Sequence, residues 1–201
     1  DRSPSRGLGD VYKRQHYEGG AAGPVAGIQF VENSIQYALS KTTADKIVIG
    51  VPLYGRVWSL DDNRIVGKGI SSKTIQDILN SCESTVTYDE TSQSVKAEFT
   101  ITDQSTRYTV GGDFVLQPGK YVVWYENDQS YEAKLGLVEK YNLKGAGSWA
   151  LGQEDPSIWD HYEEWVNGEM EDTTPSEPEQ PDTSEPVIPQ PPNPPSSSET
   201  E

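Results

Sequence analysis

The chain has 201 residues, 33% of them hydrophobic, with a formal net charge of −16 and a pI near 4.4, a balance that excludes nucleic-acid backbones and anionic membrane surfaces as partners because like charges repel. Cys82 is the only cysteine, and His16 and His161 stand outside any ligand-spaced motif, so neither a disulfide, a metal nor a cofactor is expected. No apolar run approaches the roughly 18 residues of a membrane span, which leaves a neutral or cationic ligand as the best-matched partner.

Residues 1–15 are polar, carry Arg2, Arg6, Lys13 and Arg14, and show neither helical nor strand periodicity. They read as a translated adapter-like leader that lies outside the fold. Beyond a Gly19–Pro24 loop, Val31, Ile35, Ala38 and Leu39 recur at the spacing of an amphipathic helix. Lys46 to Trp58 then reads as one apolar strand that ends in Tyr54, Arg56 and Trp58, and a strand buried on both faces suits a parallel α/β sheet. Residues at the carboxyl ends of such strands are the ones that meet ligand.

The pattern changes after Trp58. Short β-branched and aromatic runs, Val86–Tyr88, Val95–Ile101, Arg107–Val110 and Tyr121–Tyr125, alternate with polar turns and are interrupted by one helix over 72–80 with Ile75, Ile78 and Leu79 inward. Residues 59–123 therefore form an inserted antiparallel α+β subdomain between flanking segments 16–58 and 124–168. Asp128 is the expected cap of the next helix, with Tyr131, Leu135 and Val138 on its inner face and Asn142 at its end. A second strand runs from Gly145 to Trp149. Asp155 caps a last helix with Pro156 at its first position, and Ile158, Tyr162, Trp165 and Val166 form its buried face; Trp159 is expected in the core beside them. From Glu169 onward, prolines alternate with acidic residues and no Lys or Arg occurs, so 169–201 is expected to be a disordered, self-repelling linker. Such a spacer leads to a further module or a surface anchor.

Three motifs in this order carry a resemblance to a known family. Gly50-Val-Pro52-Leu-Tyr54-Gly55-Arg56 resembles the seventh-strand signature of glycoside hydrolase family 18, the chitinase-like enzymes, and Gly145-Ala-Gly-Ser-Trp149-Ala-Leu-Gly resembles the eighth. Val123-Trp124-Tyr125-Glu-Asn-Asp128, with Ser130 and Lys134, is similar to the segment that leaves the family's inserted subdomain. The resemblance covers roughly residues 16–168 and is nearest to bacterial spore-cortex and peptidoglycan-lytic members. It implies an α/β fold: the carboxy-terminal part of a (β/α)8 barrel interrupted by a chitinase insertion domain. A whole barrel needs about 250 residues, more than this chain supplies.

The resemblance also implies function. Members cleave β-linked N-acetylglucosamine polymers, chitin or peptidoglycan, by a retaining route in which the substrate's own acetamido oxygen attacks the anomeric carbon while a glutamic acid protonates the leaving oxygen. That acid belongs to a D-x-x-D-x-D-x-E strand, which no segment of the chain matches, so no catalytic residue is assigned and the chain alone is expected to be inactive. The sixth-strand motif survives only as His16-Tyr17, with Lys13 and Arg14 at the positions of the family's Tyr and Asp. The resemblance implies Trp149 as the apolar floor under the reacting sugar. Tyr54, Arg56 and Tyr17 are candidate polar contacts, although Tyr54 and Arg56 equally suit a role in holding the strand exits together. Trp58 and Trp124 either line the cleft or pack the insertion on the barrel. An extracellular or cell-surface setting follows from such substrates. A chitinase-like lectin that binds without cleaving is the alternative.

Overall fold

The computed structural model describes the backbone of Gly9–Asp10 and residues 18–167. The remainder of the leader, His16, Tyr17 and the acidic segment 169–201 lie outside the described residues. In chain order the elements are β1 (Gly9–Asp10), α1 (Ile28–Leu39), β2 (Ile47–Pro52), β3 (Tyr54–Ser59), β4 (Val66–Ser71) and α2 (Ser72–Ser81). There follow β5 (Ser84–Asp89), β6 (Ser94–Ile101), the short pair β7 (Thr109–Val110) and β8 (Phe114–Val115), and β9 (Gly119–Tyr125). The chain closes with α3 (Asp128–Lys140), β10 (Gly145–Trp149), a 3-10 turn over Pro156–Asp160 and α4 (Tyr162–Asn167).

Two sheets organise these elements. β1, β2 and β10 lie in that order and pair in parallel, so that β1 falls within the segment that reads as leader. The helices cover one face of this sheet: Ile47 and Ile49 pack with Val31 and Ile35 of α1 and with Leu137 and Val138 of α3, while Val51 and Leu53 pack with Tyr131, Leu135 and Ile158. The second sheet is antiparallel, in the order β4-β3-β9-β6-β5. Its inner face, with Val57, Val95, Ala97, Phe99, Tyr121 and Val123, packs on Ile75 and Ile78 of α2. β7 and β8 form a separate hairpin.

The stretch Lys46–Trp58, expected as one strand, is two. β2 pairs with β10, but beyond Leu53 the chain changes partners and β3 pairs with β4 and β9. The apolar run is continuous through the corner, so periodicity gives no sign of it. β4 and β8 were not expected either: Val-Gly-Lys-Gly-Ile-Ser lacks the alternation that marks a strand, and β8 is two residues long.

Caps differ by one residue at α3. Asn127, not Asp128, is the N-cap: its Oδ1 accepts from the Ser130 amide at 3.1 Å while the Ser130 hydroxyl accepts from the Asn127 amide at 2.8 Å. Asp128 instead sits in the first turn, where its charge suits the helix dipole. Asn127→Ala is expected to lower stability by about 1 kcal/mol, read as a lower urea midpoint with an unchanged m-value. At the end of α3, Asn142 takes a φ of 49° in the left-handed region that asparagine tolerates.

The last helix is shorter than expected. Asp155 does cap, accepting from the Ser157 amide at 3.2 Å, but the turn it opens is 3-10 and only residues from Tyr162 are α-helical. Ile158, Tyr162, Trp165 and Val166 pack inward as expected. Trp159 does not: it is 43% exposed and its ring tilts against Tyr162 at 5.2 Å. Tighter winding rotates position 159 out of the stripe that α-helical spacing would give it.

Candidate functional site

At the carboxyl end of β10, register and alternation place one large aromatic side chain in the open. Gly145 lies opposite Val48, Gly147 opposite Gly50 and Trp149 opposite Pro52. Successive side chains of a strand point to opposite faces. Ile47, Ile49, Val51 and Ala146 pack toward the helices, and the Ser148 hydroxyl meets that of Tyr162 at 2.8 Å. Val48, Gly50, Pro52, Gly145, Gly147 and Trp149 therefore share the face that the helices leave uncovered. A Cβ on Gly147 would sit 3.9 Å from Val48 Cγ1, which is ordinary contact on that same face. Trp149 is 65% exposed, and the paired Gly147 and Gly50 add no side chain to the face beside it.

The corner below this indole is built from buried hydroxyls. The Leu53 amide donates to the Trp149 carbonyl at 2.7 Å, and the Tyr131 hydroxyl donates to the Pro52 carbonyl at 2.9 Å. Burial pushes the Tyr131 hydroxyl far above the ordinary tyrosine value, which keeps it a donor. The Ser72 hydroxyl donates to the Leu53 carbonyl at 3.1 Å, and the Ser72 amide to the Gln153 carbonyl at 2.7 Å.

Four of the other expected residues gather on the antiparallel sheet. Tyr54, Arg56 and Trp58 alternate along β3 and so share a face, and Trp124 of β9 lies directly across from Arg56. They do not stand at the exit of the parallel strand, because the partner change at Leu53 carries them into the second sheet. All three β3 side chains are buried, Arg56 to 5% exposure, while Trp124 is half-buried. The Arg56 guanidinium lies 5.8 Å from the Tyr54 ring centroid and donates from Nη1 to the Gly67 carbonyl; its Nε has no partner among the described residues. The Trp58 indole N–H donates to the Gly20 carbonyl at 2.8 Å. Near them Lys68 pairs with Glu18, and this ammonium holds the Glu18 carboxyl below its usual range.

The structure thus separates two groups: Trp149 on the parallel sheet, and Tyr54, Arg56, Trp58 and Trp124 on the antiparallel one. Tyr17 lies outside the described residues. Glu154 and Asp155 are engaged locally, Glu154 with the Gly152 amide at 2.6 Å and Asp155 as a cap. Among the described residues no group of three or more His, Cys, Asp or Glu side chains is placed to hold a metal ion, and no helix is long and apolar enough to cross a membrane. Cys82 is a half-buried free thiol at the end of α2.

The sequence placed Tyr131 on the inner face of α3 and Lys134 in a motif, but it gave no sign of the Tyr131 bond to Pro52, of the ion pair Glu126–Lys134 or of the role of Ser72. Lys134 carried a local signal: it falls three residues after Tyr131 and four before Val138, on the inner stripe of α3, where a solvated lysine has no place. Ser72 had none, because its partners are distant in sequence.

Comparison with known proteins gives a consistent result. Residues 10–154 match the family model described as glycosyl hydrolases family 18. YvbX, an uncharacterized glycosylase of Bacillus subtilis, is 29% identical over 145 residues, covering 72% of this chain and 38% of its own. The cortical fragment-lytic enzyme of the same organism is 31% identical over 145 residues, covering 71% of this chain and 30% of its own. Among solved structures, a chitinase from Chromobacterium violaceum has a TM-score of 0.59 at 27% identity, covering 75% of this chain and 41% of its own. The chain spans about a third of the length of the curated relatives it matches.

Proposed function

This chain belongs to glycosyl hydrolases family 18, and from that membership we propose that it is the carboxy-terminal part of a hydrolase acting on β-linked N-acetylglucosamine polymers, chitin or peptidoglycan, with Trp149 as the platform for an amino-sugar ring. The observation that carries this reading is the exposed indole at the carboxyl end of β10, on the face the helices leave uncovered. A sugar presents its C–H face to an indole, and stacking there both anchors the ring and excludes water from one side of it. Burying the exposed part of an aromatic side chain this way supplies binding energy without charge, which suits a chain of net charge −16.

The parallel sheet with its helices is then the end of a (β/α)8 barrel, and the antiparallel sheet with α2 is the chitinase insertion domain that rises beside the cleft. In this reading Tyr54, Arg56 and Tyr17 are polar supports of the sugar subsite, and Trp58 and Trp124 line the cleft wall where the insertion rises or pack it on the barrel. Cleavage proceeds by substrate-assisted retaining hydrolysis. The protonating glutamic acid comes from polypeptide outside these 201 residues, none of which forms the D-x-x-D-x-D-x-E strand. Polymers of this kind set the working location outside the cell or at its surface, with 169–201 as the spacer to another module or an anchor.

The expected outcome is binding without turnover. Titration of the 201-residue chain with tetra-N-acetylchitotetraose, followed by calorimetry, should give a saturable isotherm, and no chromophore should be released from a chromogenic N-acetylglucosaminide. Trp149→Ala should weaken binding at least tenfold, while Trp159→Ala, on an exposed indole outside the sheet face, should leave it unchanged. An isotherm indifferent to Trp149→Ala contradicts the platform, and release of chromophore contradicts the missing acid.

A further inference from the structure

We propose that Ser72 is a positioning residue for Trp149, an inference that rests on the platform reading of that indole. α2 packs its Ile75 and Ile78 into the antiparallel sheet, yet its first residue reaches Leu53, at the corner just past β2 of the parallel one. Ser72 is 2% exposed, and its hydroxyl is not needed to start the helix. That task falls to Ser71, whose Oγ accepts from the Thr74 amide at 3.1 Å. Freed from capping, the Ser72 hydroxyl donates to the Leu53 carbonyl at 3.1 Å.

The backbone of the same residue does equal work. An amide in the first turn of a helix has no partner within the helix. The Ser72 amide spends this free donor on the Gln153 carbonyl at 2.7 Å, four residues beyond Trp149, and the Lys73 amide reaches the same oxygen at 3.4 Å. Leu53, held by Ser72 through its carbonyl, donates its own amide to the Trp149 carbonyl at 2.7 Å. The backbone that carries the indole is therefore held on both sides: at the Trp149 carbonyl through Leu53 and at Gln153, at the end of its loop, through Ser72. Tyr131 completes the bolt by holding Pro52, the residue paired across the sheet from Trp149. A single helix end thus ties the strand end that bears the platform to the helix packed on the antiparallel sheet.

Removing the Ser72 hydroxyl leaves a carbonyl at the buried corner without its donor, and the corner must relax to satisfy it. The test uses the full 201-residue chain labelled with 5-fluorotryptophan, in which the five tryptophans each give a fluorine resonance and Trp149→Phe identifies that of Trp149. Ser72→Ala and Tyr131→Phe should each shift or broaden the Trp149 resonance and leave that of Trp58 in place, and Ser72→Thr, which keeps the hydroxyl, should restore it. Affinity for tetra-N-acetylchitotetraose should fall about fivefold in Ser72→Ala, the scale of one buried hydrogen bond, and recover in Ser72→Thr. Should Ser72→Ala fail to fold, Tyr131→Phe carries the same comparison. An unmoved Trp149 resonance, or a loss of affinity that threonine does not rescue, overturns the inference. Normal affinity in Trp149→Ala would instead defeat the platform reading, while the fluorine shift in Ser72→Ala would still report the positioning.

Discussion

Lys134→Ala should cost the protein about 3–5 kcal/mol of stability, the largest effect expected of any single substitution in α3. Lys134 has no exposed surface and Glu126 is 3% exposed. The ammonium donates to Glu126 Oε2 at 2.5 Å, to the Gln93 carbonyl at 2.5 Å and to the Ser94 hydroxyl at 3.2 Å, and Ser94 in turn donates to Glu126 Oε1 at 3.3 Å. This network joins α3 to the turn that opens β6 and so fastens the antiparallel sheet to the helical layer. Truncating the lysine leaves the buried Glu126 carboxylate without its counter-charge.

The pH dependence of that loss has a definite sign. Burial pushes the Glu126 carboxyl above its ordinary value of 4.5, and the Lys134 ammonium is the main group that opposes the rise. Without the lysine the folded carboxyl keeps its proton to higher pH, so the variant retains its stability below about pH 4.5 and loses it as pH rises through the raised value. The wild type has the ion pair above that range and a protonated, unpaired partner below it. The gap between the two urea midpoints should therefore widen from pH 4.5 toward neutrality. The double variant Lys134→Met with Glu126→Leu, which removes both charges and keeps the volume, should recover most of the loss. A single and a double variant of equal stability would show that the pair contributes by shape alone.

Gly55→Ala is expected to destabilise by about 1–3 kcal/mol although the residue is a small one in mid-strand. An added Cβ would lie 2.6 Å from Ile75 Cδ1, 2.7 Å from the Trp124 carbonyl oxygen and 3.0 Å from Tyr125 Cβ. The Trp124 carbonyl belongs to the paired backbone of β9 and cannot give, so the strain must pass into α2 through Ile75. The glycine between Tyr54 and Arg56 is thus explained by close approach of a strand, a helix and a neighbouring backbone. Thermal unfolding of Gly55→Ala measures the cost, and Ile75→Val in the same background should return part of it by shortening the side chain that clashes.

These residues also show where the sequence was legible and where it was not. α1, α2 and the strand β6 follow from local period, because each buries one face and the spacing of Val31 and Ile35, or of Val95, Ala97 and Phe99, records that face directly. The strand β10 was legible too: Gly145 to Trp149, expected as a strand, is one, and Trp149 stands exposed at its end. The partner change at Leu53 was not, since it depends on hydroxyls of Ser72 and Tyr131 that approach from 19 and 79 residues away. That one corner explains why Tyr54, Arg56 and Trp58 lie in the second sheet. Trp159 was misplaced for a different reason: a 3-10 turn and an α-helix share the same Asp-Pro opening, and only the winding after it decides which residues face the core.

The measurement closest to the central claim is an amide and indole NMR titration of the isotopically labelled chain with tetra-N-acetylchitotetraose, in which each of the five tryptophans reports on its own surroundings. The account predicts that the Trp149 indole resonance moves first and farthest, with Gly147 and Gly50 beside it, while Trp165 in the helical layer stays in place. Saturation of binding with the Trp149 resonance unmoved would contradict it.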